Sequence, residues 1–537
     1  MDIARHKRNY DLHSWSGVTL GIFLFIVCFT GSVAVFALGE TQVWEDPAKR
    51  LSYEQEVPFQ DSFSEWVETQ EERGEIEFLS VGWPRSDRPY YTTRAFIHLA
   101  GTENDHDSVI QNWHPETLEP ITTREASMSS WLVRFHIDLK WPAMLGGSQV
   151  GRFIVGLAGI LLLLAILTGI VAHTKLTKEA FSLRFDRSVR LKWQDTHKVI
   201  GLWGTPFHIM IGFTGAVLGI VTLIAPVVAF LAFQGNLDAL FETVQGPQVE
   251  ASGVSAEMIS IDDFRTMLHP ETGMAPMSVS IQHYGDANAV YNGFWPATER
   301  LTMTETFKVN GVTGEQMPMT ALERGSSVPS RIVAATGPLH FGTFGGVALK
   351  YLWFFLGLSL AVITALGTMM WIERRQHGNE GKRSDRFYNG LSRLNVGICT
   401  GLAVATAGLF VHNLIYWGAE SGRGLSIAWT YFGVWIVSIA YAFLRSGPYQ
   451  ANRELIGITG GLLILAAILN QILTELPVGG IGQHIPTLVI DLTLVAFGLI
   501  ALAVAKKLPA SRPEKTKVKL AKAKAKDVPT SVTVPAE

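Results

Sequence analysis

The sequence is poor in cysteine and in charge. Only two cysteines, Cys28 and Cys399, occur in 537 residues, and both lie within apolar runs. They exclude a disulfide framework and a cysteine-ligated metal site. Charged residues make up 17% of the chain and hydrophobic residues 48%, which is too apolar for a soluble domain of this length. The composition therefore predicts membrane spans.

Several nucleotide and cofactor motifs are also missing. No G-x-G-x-x-G follows a predicted strand, and the chain has neither a P-loop nor a cysteine cluster. It therefore carries no evident nicotinamide, ATP or Fe–S site. If the chain handles electrons, a quinol or an unidentified donor protein must supply them. Nucleic acid is not an expected partner.

Eight apolar segments are long enough to cross a bilayer of about 30 Å. They lie near 17–38, 151–173, 199–232, 346–372, 394–417, 425–444, 455–474 and 485–505. The first follows basic residues, as a signal peptide does, but it ends without a small-residue cleavage site, which predicts a retained helix. The basic loops all fall on one side if both termini are cytoplasmic, so the sequence predicts a multi-pass protein in that orientation.

Two long polar inserts then fall on the opposite side of the membrane. Each is long enough for a small α+β domain, and alternating stretches such as MSVSIQHYG and RLTMTETFKVN are typical of strands. The predicted organisation is 1–39 (first span), 40–135 (first outside domain), 136–232 (spans two and three with their loop), 233–338 (second outside domain), 339–375 (span four), 376–393 (cytoplasmic loop), 394–506 (spans five to eight) and 507–537 (a basic, disordered cytoplasmic tail).

The chain contains an internal repeat. The stretch DLHSWSGVTLGIFLFIVCFTG begins at Asp11, and DTHKVIGLWGTPFHIMIGFTG begins at Asp195. Each has a histidine, a glycine four residues later, and Thr-Gly seventeen and eighteen residues after the histidine. The second and fourth spans match as well, because the spacing from Gly159 to Gly169 equals that from Gly357 to Gly367. Spans one to four are therefore predicted to form a two-fold parallel repeat, with sites between the copies.

The repeat matches histidines by membrane depth: His13 with His197, and His136 with His340. Two opposed imidazoles in an apolar bundle suit haem, whose iron takes an axial nitrogen from each side. The simpler alternative is that duplicated helix ends carry duplicated interfacial histidines and packing glycines. Gly17, Gly21, Gly201 and Gly204 fit either relief of bulk beside a macrocycle or helix packing.

Two further histidines are candidates. His208 could bind a second haem, pack, or handle protons, and His173 could replace one partner of the cytoplasmic pair. Asp11 and Asp195 could orient an imidazole or cap a helix. The histidines at 98, 106, 114, 269 and 283 are predicted to be surface residues of the inserts, His377 to be solvated, and His412 and His484 to serve packing or the surface.

The repeated spans resemble the PepSY-associated transmembrane family over about 5–375. The resemblance rests on the H-x3-G…TG span, the turn KVNGVTGEQM of the second insert, and the LH…GL…TG span. It implies a bacterial inner-membrane protein with two periplasmic PepSY-like domains. Some members are ferric-siderophore reductases with b-type haems, so His13, His136, His197 and His340 are the implied ligands, with His173 and His208 as further candidates. In the first insert Leu118 stands where the family's turn has glycine.

The sequence thus predicts a membrane oxidoreductase with two b haems, which passes electrons outward to a ferric siderophore or similar chelate and releases Fe(II). Hard oxygen donors hold Fe(III) more tightly than Fe(II), so reduction releases the iron. One alternative is a PepSY membrane sensor or protease modulator without enzymatic activity. Another is a transporter in which His208 handles protons.

Overall fold

The computed structural model describes residues 3–37, 39–99, 106–124, 127–173, 180–184, 189–245, 249–269, 273–297, 301–318, 328–377, 383–416, 418–473 and 485–512. Its α-helices are α1 (Ile3–Ala37), α2 (Glu40–Glu45), α3 (Gln60–Glu71), α4 (Met128–Asp138), α5 (Gly147–Ala172), α6 (Val189–Ala232), α7 (Leu237–Gln245), α8 (Ile261–Arg265), α9 (Val328–Phe341), α10 (Gly346–His377), α11 (Asp385–Ile415), α12 (Glu420–Leu444), α13 (Pro448–Leu473) and α14 (Ile485–Lys507). Its strands are β1 (Gly74–Gly82), β2 (Tyr91–Leu99), β3 (His106–Trp113), β4 (Pro120–Ile121), β5 (Ser278–Gln282), β6 (Val290–Pro296) and β7 (Thr304–Asn310).

Eight of the described helices are long and apolar enough to cross a membrane, as the sequence predicts: α1, α5, α6, α10, α11, α12, α13 and α14. Several run beyond their apolar segments. Helix α1 begins at Ile3 and α6 at Val189, because polar residues can continue a helix into water once its apolar part is fixed in the bilayer. The predicted basic tail lies almost entirely outside the described residues.

Helices α1, α5, α6 and α10 form a four-membered ring. Helix α1 packs against α5 and α10, and α6 packs against the same two helices, so α1 and α6 lie on a diagonal of the ring. Glycine makes two of these contacts close. A methyl group on Gly156 would lie 2.8 Å from the backbone of Gly219, and one on Gly21 would lie 2.4 Å from Thr368 Oγ1. Small residues let helix backbones approach closely in lipid, where apolar burial alone does not drive association.

The two polar inserts share one antiparallel sheet. Its seven strands run in the order β4-β3-β2-β1-β5-β6-β7, and the two inserts meet where β1 pairs with β5, with Leu79 opposite Ile281 and Val81 opposite Val279. One apolar core contains side chains of both inserts, including Phe63 of α3 from the first insert and Phe264 of α8 from the second. The prediction of two separate domains therefore does not describe this part of the chain: the inserts share one sheet and one core.

Corresponding turns of the two inserts have the same backbone geometry despite different residues. Leu118 has φ 56° and Gly314 has φ 71°, and each donates its N–H to the carbonyl four residues earlier, at 3.0 and 2.9 Å. Left-handed φ is strained for leucine but not for glycine. The departure noted at Leu118 therefore changes the residue but not the turn.

A buried polar network ties helices α13 and α14 to α2 of the first insert. The carboxylate of Asp491 on α14 accepts hydrogen bonds from Trp44 Nε1 at 2.8 Å, Asn470 Nδ2 at 2.9 Å and Gln471 Nε2 at 2.6 Å. Trp44 belongs to α2, directly after α1. A buried carboxylate is tolerated when such donors satisfy it, so this contact fixes α14 against the start of the first insert.

Candidate functional site: two opposed histidine pairs

The first pair, His13 and His197, lies at the end of the ring remote from the sheet and is called the far-side pair. Its ring centroids are 6.2 Å apart, with an angle of 69° between the ring planes. His13 Nδ1 lies 3.0 Å from the carbonyl oxygen of Ala165, and His197 Nδ1 lies 2.9 Å from that of Ile363. A carbonyl can only accept, so each Nδ1 carries the proton and each Nε2 presents a lone pair.

The second pair, His136 and His340, lies at the end of the ring next to the sheet and is called the sheet-side pair. Its centroids are also 6.2 Å apart, with an interplanar angle of 22°. His136 Nδ1 lies 3.0 Å from the carbonyl oxygen of Val27 and 3.4 Å from Thr30 Oγ1. His340 Nδ1 lies 2.9 Å from Thr214 Oγ1, a hydroxyl that donates its own hydrogen to Met210 O. Both rings can therefore be neutral, with Nδ1 protonated.

Each of the four imidazoles rests against a glycine of a neighbouring helix. If the glycine were alanine, the distance from its methyl carbon to the imidazole Cε1 would be 2.7 Å for Gly31 and His136, 3.1 Å for Gly215 and His340, 3.0 Å for Gly169 and His13, and 3.5 Å for Gly367 and His197. A side chain at the first three would crowd the ring. These glycines, with the Nδ1 hydrogen bonds, fix the positions of the rings.

The separation within each pair matches that of two axial ligands on one metal ion. A bond from imidazole nitrogen to a first-row metal is about 2 Å, so two bonds plus the half-ring on each side come to about 6 Å between centroids. The observed value is 6.2 Å in both pairs. Among the described residues, no hydrogen bond uses the Nε2 atom of these four histidines. This geometry fits bis-histidine ligation of haem iron, with Nδ1 bonds that orient the ligands.

A large apolar cavity adjoins the sheet-side pair. Its empty volume is about 1460 Å³, counting the part open to the surroundings, and it extends between α1, α5, α6 and α10. Six glycines line it: Gly31, Gly159, Gly212, Gly215, Gly219 and Gly357. Apart from the histidines, Arg152 is the one residue of the described lining whose side chain is charged at neutral pH, and it forms no ion pair with another described residue. Apolar walls with one cation suit a flat macrocycle that carries carboxylate groups.

The two additional histidine candidates have different surroundings. His173, at the end of α5, lies close enough to His13 and His197 to interact electrostatically with both. Its substitution for one member of the far-side pair stays a prediction. His208 is buried, its Nε2 lies 3.4 Å from Ser359 Oγ, and its ring folds back over Gly204 of the same helix. Within the described part of the chain it faces no second imidazole, so the structure does not pair it as a ligand.

Some sequence expectations about neighbouring residues need correction. Gly21 faces Thr368 and Gly204 faces His208, so both serve packing. An alanine methyl group at Gly17 or Gly201 would have nothing within 4 Å, so relief of bulk beside a macrocycle stays a prediction for these two. Neither Asp11 nor Asp195 caps a helix, because both lie inside helices.

The buried carboxylate of Asp195 does not orient His197. It accepts hydrogen bonds from the Arg184 guanidinium at 2.7 and 2.8 Å. His269 is not a surface residue either, because its side chain is 11% exposed and lies 3.0 Å from a carboxylate oxygen of Glu305. His484 lies outside the described residues.

The structure explains the Thr-Gly spacing that the sequence shows twice. Thr30 and Thr214 supply hydroxyls to the sheet-side imidazoles, while Gly31 and Gly215 leave room for those rings. The partner of each Thr-Gly is a histidine over a hundred residues away, so spacing alone could not assign the role. The carbonyl acceptors at 165 and 363 carry no side-chain signal, and sequence reasoning missed them.

Comparison with known proteins places the chain in a family. The model of the PepSY-associated TM region matches residues 10–374, which include all four paired histidines. The chain belongs to this family. It is also similar to the uncharacterized protein PA4219 of Pseudomonas aeruginosa, with 28% identity over 369 residues, which are 66% of this chain and 89% of that protein. Helices α11 to α14 lie outside the family match.

Proposed function

We propose that the chain is a b-type haem protein of the bacterial inner membrane that passes electrons across the membrane to a periplasmic ferric chelate. It would act as an oxidoreductase, with both termini in the cytoplasm and the shared sheet in the periplasm. The observation that carries the proposal is the presence of two opposed imidazole pairs at opposite ends of one helix ring, each with a 6.2 Å centroid separation.

The position of the pairs supports transfer across the membrane. His13 and Thr30, which contacts His136, are seventeen residues apart on α1. At 1.5 Å per residue the two sites are roughly 25 Å apart, close to the thickness of the hydrocarbon core. Two haem sites at these positions would divide the path of an electron across the membrane into shorter steps.

Bound haem would supply reversible one-electron exchange at its iron. The chain's own residues would hold and insulate it. His136 with His340, and His13 with His197, would ligate through Nε2. The Nδ1 bonds would fix ring orientation and raise ligand basicity. The glycine-lined cavity would exclude water from the sheet-side site, and Arg152 would neutralise a haem carboxylate.

The proposed substrate is a ferric siderophore or a similar oxygen-donor chelate. Reduction by one electron turns tightly held Fe(III) into Fe(II), which such donors bind less well, so the metal is released. The chelate would approach the sheet-side pair, and a quinol or a donor protein would reduce the far-side site. Membrane lipid surrounds the helices in either case.

The first test is the absorption spectrum of the full-length protein purified from haem-replete cells, with haem and protein quantified together. We expect a Soret band, a b-type alpha band after dithionite, and about two haems per chain. The dithionite-reduced protein should reoxidise when a ferric trihydroxamate or catecholate is added under argon, with Fe(II) trapped by ferrozine. Colourless protein, or reduced protein that ferric chelates do not reoxidise, would contradict the proposal.

The same measurement separates the alternatives. A peptide-binding sensor or protease modulator, and a proton-coupled transporter that uses the buried His208, both predict protein without haem. If haem is absent, the effect of His208→Gln on substrate uptake would then decide between these two.

A further inference from the structure

Three potential metal ligands converge where the β2–β3 ladder ends at His98 and His106. One donor atom each from Glu77, His98 and His106 lies within 4.8 Å of the other two. The His106 Nδ1 atom is 3.1 Å from Glu77 Oε1, and the centroids of the two imidazoles are 4.9 Å apart. The group lies at the end of β2 opposite Tyr91 and contains none of the four paired histidines.

The strand register brings the two imidazoles together. His98 of β2 and His106 of β3 are directly opposite each other in the antiparallel ladder. Directly opposite residues project from the same face, with Cβ atoms about 5 Å apart. The same face carries Phe96 and Ile110, which are both exposed, while the opposite face covers the core. The two histidines therefore meet on the open face of the sheet.

A bulge in β1 supplies the carboxylate. Ile76 pairs with Ile97 and Phe78 pairs with Phe96, so Glu77 is an additional residue with no partner in the ladder. Ile76 belongs to the core side, and without the bulge Glu77 and Phe78 would project to opposite faces. Bulges re-aim side chains in this way and often adjoin functional sites. Here the bulge leaves Glu77 and Phe78 on the same open face, and Glu77 Oε1 lies next to His106 Nδ1.

We propose that Glu77, His98 and His106 form a surface site for a divalent first-row transition metal ion. Two imidazoles and one carboxylate are a ligand set for Zn²⁺ and its neighbours, whereas Mg²⁺ and Ca²⁺ prefer oxygen ligands alone. Glu77 and His106 are both about half exposed, so water or a donor of another molecule can complete the coordination. The site binds metal whether or not the chain carries haem.

A simpler arrangement would be an ion pair between protonated His106 and Glu77. Such a pair needs neither His98 nor a bulge, and an exposed pair contributes little. Metal ligation instead requires all three groups, with both imidazoles neutral. The two arrangements therefore differ in the effect of replacing His98.

The test is a Zn²⁺ titration of the full-length protein, produced without a histidine tag, stripped with EDTA and studied in detergent by calorimetry at pH 7.5. Other histidines can bind Zn²⁺, so the readout is the difference between wild type and variants. We expect His98→Gln and His106→Gln each to bind one Zn²⁺ fewer than wild type. Glu77→Gln should bind at that site about tenfold or more weakly.

Glu75→Gln is the matched control, because Glu75 is an exposed residue of the same strand, opposite His98, but is not one of the three converging groups. It should titrate like wild type. Identical titrations for wild type and the His98 variant would overturn the proposal, and so would equal weakening by the Glu75 and Glu77 variants, which would indicate general attraction of cations. The absorption spectrum of every variant should match that of wild type, so failure here and failure of the haem proposal are distinguishable.

Discussion

The two histidine pairs have the same separation but different surroundings. The sheet-side pair adjoins a large apolar cavity, and Thr30 and Thr214 offer hydroxyls to its rings. In the far-side pair both Nδ1 atoms bond to backbone carbonyls, and His13 Nδ1 also lies 3.4 Å from Thr168 Oγ1. A third imidazole, His173, is in electrostatic range of both members. The sheet-side site therefore offers one pair of possible ligands. The far-side site offers a pair and, as a further candidate, His173.

This difference between the pairs determines at which of them a substitution should abolish ligation and at which it should only alter it. At the sheet-side pair the loss of either imidazole leaves the other with no replacement among the described residues. At the far-side pair we expect the neighbouring His173 to compensate for a lost ligand. A histidine outside the ring supplies the contrast: both ring nitrogens of His412 lie near hydroxyls, those of Ser426 and Thr430, so neither nitrogen is left for a metal.

The largest effect should follow replacement of a sheet-side ligand. His340→Ala and His136→Ala should each lose about one of two haems, since a single axial ligand in a dry cavity does not hold the iron in bis-histidine form. Haem per chain, measured as the pyridine haemochrome, checks this. His412→Gln is the control and should keep both haems. A His340 variant with full haem content would show that the ligand assignment is wrong.

A far-side ligand should be partly replaceable. We expect His13→Ala to retain part of its far-side haem, with an altered alpha band, because His173 takes the vacant position. The double variant His13→Ala with His173→Ala should lose that haem. Low-temperature absorption and haem content of the three proteins check this. If the single and double variants are equally depleted, His173 has no part in ligation.

The supporting glycines should give a graded series. Gly31→Ala places a methyl group 2.7 Å from His136 Cε1, whereas Gly367→Ala places one 3.5 Å from His197 Cε1. The former must shift the ring at a cost of about 1–3 kcal/mol, which corresponds to roughly 5- to 150-fold faster loss of haem, and the latter should behave like wild type. Transfer of haem to apomyoglobin measures the rate. Equal rates in the two variants would contradict the packing of these glycines against the rings.

Much of the membrane region could be predicted from the sequence. Runs of apolar residues locate the eight spanning helices, and the repeated spacing matches His13 with His197 and His136 with His340 before any contact is known. Helix starts were predicted less well, because hydropathy marks only the part within the bilayer: α1 begins fourteen residues before its predicted span at residue 17.

The single sheet could not be predicted. Strand β1 pairs with β5 across about two hundred residues, and an alternating strand carries no signal for which edge it joins. The bulge at Glu77 was also missed, because it depends on the register with β2. The residues 98 and 106 were assigned to the surface from their position in a polar insert, and only their pairing across the ladder reveals a cluster.

The smallest effect tests the hydroxyl acceptors. Thr214→Val removes the hydroxyl that accepts the hydrogen bond from His340 Nδ1. Thr30→Val, in contrast, leaves His136 its shorter hydrogen bond to the carbonyl oxygen of Val27. A weaker acceptor makes the imidazole less basic and stabilises Fe(III) less, so the sheet-side midpoint potential should rise in Thr214→Val. A hydrogen bond of about 1 kcal/mol corresponds to roughly 20 to 60 mV for one electron.

Redox titration followed at the alpha band should show this rise in Thr214→Val and little change in Thr30→Val. Equal shifts would mean that the two hydroxyls support their rings alike, and that the difference between Val27 and Thr214 as acceptors has no electronic consequence.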